Sequence, residues 1–409
     1  MTIHFPTRGG AGLLAGLALA VAPLLGGHIA GAHAAHTPAA VASPHAQPSL
    51  SVRAQTTLNR LEPASGTYFG ASLNWADDSA ASYDQRLGRQ AALFVQFFNF
   101  PFADGDIATL DDLIDQCQAQ GAMALITLEP NAGLDAVTPQ LAADLGDRLA
   151  EYNARGVPLF VRFAHEMNGA WYPWSQQPAK YVQAFRTVAD AVHSRAPQSA
   201  MVWAPNYGGG YPFHGGQYEA QPGTPDFAAL DTNRDGKLDQ HDDMYAPYYP
   251  GDDAVDWVGM SLYHWGDRYP WGKNIVPEPG KFIAQLTGNY NGANGDDRDV
   301  PDFYKDYAVG HGKPLAIVET AALYNTTVVG DDELQLKQLW WRQVLDPRIA
   351  RDYPQIKMIN WFESRKFESE VNAVVDWRAT GSPRVADAFL QDLAARPFLY
   401  AGDWPAQLQ

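Results

Sequence analysis

Only one cysteine, Cys117, occurs in the 409 residues, so no intramolecular disulfide can form and stability must come from a core. Positive charge is also scarce. With 29 Lys and Arg against 46 Asp and Glu, the net charge is -17, and nucleic acid or an anionic membrane would be repelled. A neutral polymer would not. The N-terminal apolar run, Ala11 to Leu25, is broken by Gly and Pro and is short for a membrane span. With Arg8 ahead of it and Ala32-His33-Ala34 behind it, it reads as a secretory signal over residues 1–34, with an uncleaved membrane anchor as the alternative. The mature chain is therefore expected to be secreted or periplasmic, free of the membrane after cleavage, and monomeric.

What the chain does have is a large apolar complement, 46% of its residues, with 12 Trp and 19 Tyr. That is enough for one α/β barrel with insertions or for two smaller domains. Most of the aromatics are expected in the core, but flat rings also suit sugars. Residues 35–62, rich in Ala, Pro and Ser, read as a linker,, with order beginning near Gly66. The catalytic domain is placed at 63–409.

From there, strand-like and helix-like segments alternate. Strands are expected at Tyr68–Leu73, Ala92–Phe98, Met123–Leu128, Leu159–Ala164, Met201–Ala204, Trp257–Leu262, Leu315–Val318 and Ile356–Trp361. Helices are expected at Asp111–Gln120, closed by Gly121, and after Thr138 and Pro139, which act as N-cap and first helical residue. Others are expected from Pro178, near Asp302 to Val309, from an Asp331 cap to Leu345, and at Val385–Ala394. Eight strands in such an alternation predict a (β/α)8 TIM barrel with long βα loops. A doubly wound sheet is the alternative, but only barrel closure brings the ends of strands four and seven across one mouth.

Those two ends carry the chemistry. Strand four runs Phe160-Val161-Arg162-Phe163 and stops in Ala164-His165-Glu166-Met167-Asn168-Gly169, and strand seven ends in Glu319-Thr320. Two carboxylates facing each other over a cleft are what glycoside hydrolysis needs, one protonated and one ionised. A His-Glu-x-x-His zinc site is ruled out because Gly169 stands where the second His would be,. A glycan-binding protein without activity remains the alternative, although a binder needs neither carboxylate.

His165-Glu166-Met167-Asn168-Gly169 with Trp171, Tyr263, Glu319 and Trp361 resembles glycoside hydrolase family 26, a clan A barrel family known for β-mannanases. The resemblance covers about Gly66 to Ala395. It implies a retaining endo-β-glycosidase, acting first on β-1,4-mannan, with mixed-linkage β-1,3-1,4-glucan or β-1,3-xylan as alternatives. Glu166 would be the acid/base and Glu319 the nucleophile, and no cofactor would be needed for catalysis. His165 would hold the sugar or tune the acid, and Tyr263 would hydrogen-bond the nucleophile. Trp171 and Trp361 would line the subsites, with Arg162 and Asn206 as further contacts. For Trp361 and Arg162, a structural role fits the pattern as well as a substrate contact does.

The long segment after strand five holds a separate pattern, Asp231-Thr232-Asn233-Arg234-Asp235-Gly236-Lys237-Leu238-Asp239-Gln240-His241-Asp242. Side-chain oxygens of Asp231, Asn233, Asp235, Asp239 and Asp242, with the Lys237 carbonyl, match an EF-hand-type loop with Gly at its sixth position. A structural calcium ion is the expectation, and a solvated acidic loop the plain alternative.

Overall fold

The computed structural model describes residues 59–292 and 299–407. The signal segment and most of the expected linker lie outside the described residues. Ordered contacts already begin ahead of Gly66. Trp257 Nε1 donates to the Arg60 carbonyl at 2.7 Å, and Leu61 is buried.

Eight parallel strands close into a barrel in sequence order. They are β1 (Tyr68–Leu73), β2 (Leu93–Asn99), β3 (Met123–Glu129), β4 (Leu159–Phe163), β5 (Ser199–Trp203), β6 (Trp257–Ser261), β7 (Leu315–Thr320) and β8 (Ile356–Glu363). All eight coincide with the sequence expectation to within a few residues. Each is buried along nearly its whole length, because the barrel interior takes one face and the helices take the other. The interior packs Tyr68, Leu93, Val95, Met123, Leu125, Phe160, Trp257, Val318 and Met358 together. The opposite strand faces join the helices in one larger core.

The helix boundaries follow local chemistry. Thr138 accepts from the Leu141 amide and caps the helix Pro139–Ala154, with Pro139 in its first turn,. The helix Asp106–Gln120 stops at Gly121, which adopts φ 66° and returns its amide to the last turn,. Cys117 is buried on this helix and belongs to the larger core.

Three local differences from the sequence reading have clear causes. The helix Glu333–Val344 is capped by Asp332, not Asp331; the Asp331 carboxylate instead accepts from the Val276 amide at 2.8 Å, fastening another loop. The short helix Ala80–Leu87, capped by Ser79, has too few apolar positions to announce itself. A two-stranded hairpin, β9 (Arg365–Glu368) with β10 (Ala373–Asp376), follows β8 at once, and its largely polar first strand hid it.

Candidate active site

Glu166 and Glu319 reach the mouth by different routes. Glu166 follows β4 in a turn where both Ala164 (φ 47°) and Glu166 itself (φ 53°) adopt left-handed backbone, a conformation that non-glycine residues adopt at a cost. The Glu166 amide donates to the Ala204 carbonyl at 3.0 Å, pinning the turn to the end of β5.

Glu319 would face the wrong way in a regular strand. Ala316 and Val318 belong to the barrel interior, so alternation would send residue 319 outward. The pairing of β7 is irregular at this point: Ser261 aligns with Glu319, and the β7–β8 register shifts between Ile317 and Thr320. The side chains show the result of this bulge. Thr320 turns out to accept from Trp340 Nε1, while Glu319 turns in.

Arg162, fully buried, joins the two carboxylates. One guanidinium nitrogen donates to Glu319 Oε1, and the other donates to Ser261 Oγ at 2.8 Å. The Ser261 side chain hydrogen-bonds Glu166 in turn. Tyr263 donates its hydroxyl to Glu319 Oε2 at 2.6 Å. Both oxygens of Glu319 are thus held by donors, one of them a permanent cation. Glu166 has weaker support, from Ser261 and Trp171. Burial, then the charge of Glu319, pushes its pKa up to about 7,.

His165 is buried, and that burial, followed by the nearby Arg162 charge, lowers its pKa and keeps the imidazole neutral. Its Nε2 lies 3.2 Å from the Tyr172 hydroxyl, while Nδ1 has no partner among the described residues. Trp171 is 38% exposed and lies over Gly169, where a Cβ would come within 2.5 Å of the indole; only glycine permits that ring position. Asn206 is tied to the turn by its backbone, donating its amide to Asn168 Oδ1 and accepting from Asn168 Nδ2, at 2.8 and 2.9 Å.

Trp361 is the correction. It is wholly buried, its rings pack on Trp341 and Phe389 of the helix layer, and its Nε1 donates to the Trp377 carbonyl. It cannot line a subsite. The residue after it, Phe362, points the other way and packs on Tyr263 at 5.9 Å.

Three members of the site escaped the sequence reading. Ser261 gave no signal, being one more small residue at a strand end. Trp377, 5.2 Å from the Tyr263 ring, arrives from beyond the undetected hairpin. Glu129 could have been found, since β3 also ends in a carboxylate. Its pKa is raised to about 7 by burial first and then by Glu319.

In the loop 231–242 the acceptors turn toward the loop's own amides. Asp231 takes those of Asp235 and Gly236, Asn233 takes Asp235, and Asp235 takes Lys237. Asp239 accepts from His241. Buried Asp242 accepts from Thr232, Asn233 and Asp239. Among the described residues, no group of three or more His, Cys, Asp or Glu side chains is arranged to hold a metal ion.

Residues 125–216, which hold the β3 carboxylate, the β4 motif and Asn206, match the model of glycosyl hydrolase family 26. That stretch is similar to the family. The whole chain is 22% identical over 349 residues to endoglucanase H of Acetivibrio thermocellus, covering 81% of itself but 31% of that protein. It spans about a third of that relative. Among solved structures it resembles GH26C from a Muricauda species, with TM-score 0.54, 14% identity, and 85% and 90% of the two chains covered. It also resembles the catalytic domain of a GH26 endo-β-1,4-mannanase from a Bacillus species, with TM-score 0.53, 15% identity, and 86% and 97% covered. At such identities the likeness concerns the fold.

Proposed function

We propose that this chain is a retaining endo-β-glycosidase of family 26 in which Glu319 attacks the anomeric carbon while Glu166 gives its proton to the departing glycosidic oxygen. The observation that carries the reading is the difference between the two carboxyls. Glu319 is gripped by Arg162 and Tyr263, whereas burial beside Glu319 keeps the Glu166 proton on to about pH 7,. In the second half-reaction, Glu166 takes a proton from water, the water oxygen bonds to the anomeric carbon, and Glu319 leaves as carboxylate. Neutral His165, whose Nδ1 has no partner among the described residues, is suited to a sugar hydroxyl. The Trp171 indole offers a partly exposed face beside the acid.

The substrate proposed first is β-1,4-mannan, on the family resemblance. Mixed-linkage β-glucan is the second reading, favoured by the name of the sequence relative, an endoglucanase. Release of reducing ends from a polysaccharide panel decides between them: activity on glucan with none on mannan overturns the first choice. Glu319→Ala should abolish turnover. Glu166→Ala should keep activity on an aryl glycoside whose leaving group needs no proton, and azide should accelerate it. Azide rescue of Glu166→Ala to a glycosyl azide of inverted configuration, with Glu319→Ala rescued to the retained one, would reverse the roles. Wild-type rates in both variants would remove both carboxyls from the chemistry, and a wild type that binds but cleaves nothing would leave a glycan-binding protein.

We also propose a structural calcium ion in the loop 231–242, with the ligand set that the sequence pattern suggests. Its support is the spacing and the charge, since Asp231, Asp235, Asp239 and Asp242 crowd one loop with Arg234 and Lys237 as its cations. A carboxylate oxygen that accepts one amide keeps a lone pair for a metal. Chelation should lower the melting temperature. If stability and metal content are both unchanged by chelator, the amide bonds alone hold the loop and the proposal fails.

A further inference from the structure

Two of the most exposed aromatic side chains stand together on the loop that follows β6. Tyr269 is 68% exposed and Trp271 36%, and their rings meet edge to face at 6.1 Å. The loop beneath them is firmly held. Lys281 Nζ donates to the Gly266 carbonyl at 2.6 Å, and Asn325 Nδ2 donates to Gly272 O at 2.9 Å. Asn274 and Asn325 bond each other twice, at 2.9 and 2.7 Å. All three of these side chains are buried. Gly272, at φ 107°, sits so close to the hairpin that a Cβ would lie 3.0 Å from that of Val371. A loop fixed by buried polar side chains is fixing something in position, and what it carries outward is a pair of large rings that contribute little to the core.

These rings follow closely in sequence on the aromatic residues of the candidate active site. Tyr263, bonded to Glu319, has its ring 6.3 Å from Trp265, and Trp265 lies 4.9 Å from Trp377. The next residue, Gly266, lies under the Trp271 indole, 3.8 Å from a would-be Cβ. Two aromatic groups, Tyr263 with Trp265 and Trp377 and then Trp271 with Tyr269, are thus joined through the Gly266 backbone. We propose that Tyr269 and Trp271 form an outer stacking platform, a distal subsite that takes a sugar ring of a β-linked polysaccharide beyond the ring held at the carboxylates. The chemistry fits, since a hexose offers its C–H face to an aromatic ring while its hydroxyls stay in water. A neutral polymer is also not repelled by a chain of net charge -17,. This inference rests on the glycosidase reading for the identity of its ligand.

The test compares wild type with Trp271→Ala, Tyr269→Ala and Trp271→Phe, each first checked for an unchanged melting temperature. Affinity electrophoresis through gels containing soluble galactomannan or mixed-linkage β-glucan reads binding. Hydrolysis of the retained polymer and of a short aryl β-glycoside reads activity. Each alanine variant should bind polymer about tenfold more weakly, with KM raised to match. The aryl glycoside rate should not change, and Trp271→Phe should recover part of the loss. Unchanged retention and polymer KM would overturn the platform while leaving the glycosidase reading intact. Equal losses on polymer and aryl glycoside would make the rings supports of the site and overturn it too. A change in sedimentation without a change in retention would assign them to self-association, again against the proposal. If wild type cleaves nothing, the glycosidase reading fails and retention alone judges the platform: retention lost in the variants upholds it, and a wild type that neither gel retains removes both.

Discussion

Replacing Arg162 by Met tests how the candidate site is assembled. The side chain is fully buried and bonds Glu319 and Ser261 at once; Met keeps much of the volume and removes every donor. The cost comes mainly from what is left behind, a buried carboxylate facing a void of charge, and removing one partner of such a pair costs about 3–5 kcal/mol. Unfolding entropy of about 2.1 cal/mol/K per residue makes each kcal/mol worth little more than roughly 1 °C in a domain of this length, so Tm should fall by roughly 4–7 °C. The informative arm is the double variant Arg162→Met/Glu319→Gln, followed by differential scanning calorimetry. With the orphaned charge gone, it should be more stable than Arg162→Met alone, giving a coupling of about 1–3 kcal/mol. If the double variant is no more stable than the single one, or if Arg162→Met melts with wild type, Arg162 does not hold Glu319 in the way described.

The raised pKa of Glu166, to about 7, requires kcat/KM to fall as pH climbs through about 7, because the leaving oxygen then finds no proton; a profile flat from pH 6 to 9 would remove Glu166 as the acid. Glu129, Glu166 and Glu363 are raised from 4.5, and Asp84 from 3.8, each to about 7, burial being the first cause in every case. The native state therefore binds more protons than the unfolded chain between about pH 4 and 7, so stability is highest at the acidic end of that window and declines as pH rises through it. Tm measured at pH 5 should exceed Tm at pH 8, and the reverse order would refute the assignment. Trp361→Ala should cost about 3–5 kcal/mol through its cavity in the helix layer while leaving KM of the folded enzyme within about threefold. A tenfold rise in KM at unchanged Tm would return Trp361 to the substrate.

Much of the fold was legible from the sequence because a barrel strand buried on both faces is a short apolar run, and helix ends carry their own chemistry. Thr138-Pro139 and Gly121 set boundaries that the structure keeps. The pair of strand-end carboxylates, and the motif around Glu166, were also visible, since polar residues at the end of an apolar run have few structural uses. Side-chain direction was the information most often missing. Strand parity would have sent Glu319 away from the mouth, and a bulge that depends on the neighbouring strands brings it back. Parity would have placed Trp361 correctly, with Ile359 and against the helices, whereas the family resemblance implied a place at the subsites. Partnerships across the barrel lay beyond the sequence altogether. The clamp on Glu319 joins Arg162 and Tyr263, Ser261 passes it to Glu166, and Glu129 enters through its charge alone. The distances between those residues along the chain say nothing of their separation in space. By itself the sequence determined which segments pair and which residue types stand at their ends; closure of the barrel decided which of those ends face one another, because burial and charge act through space and reach the chain only after it has folded.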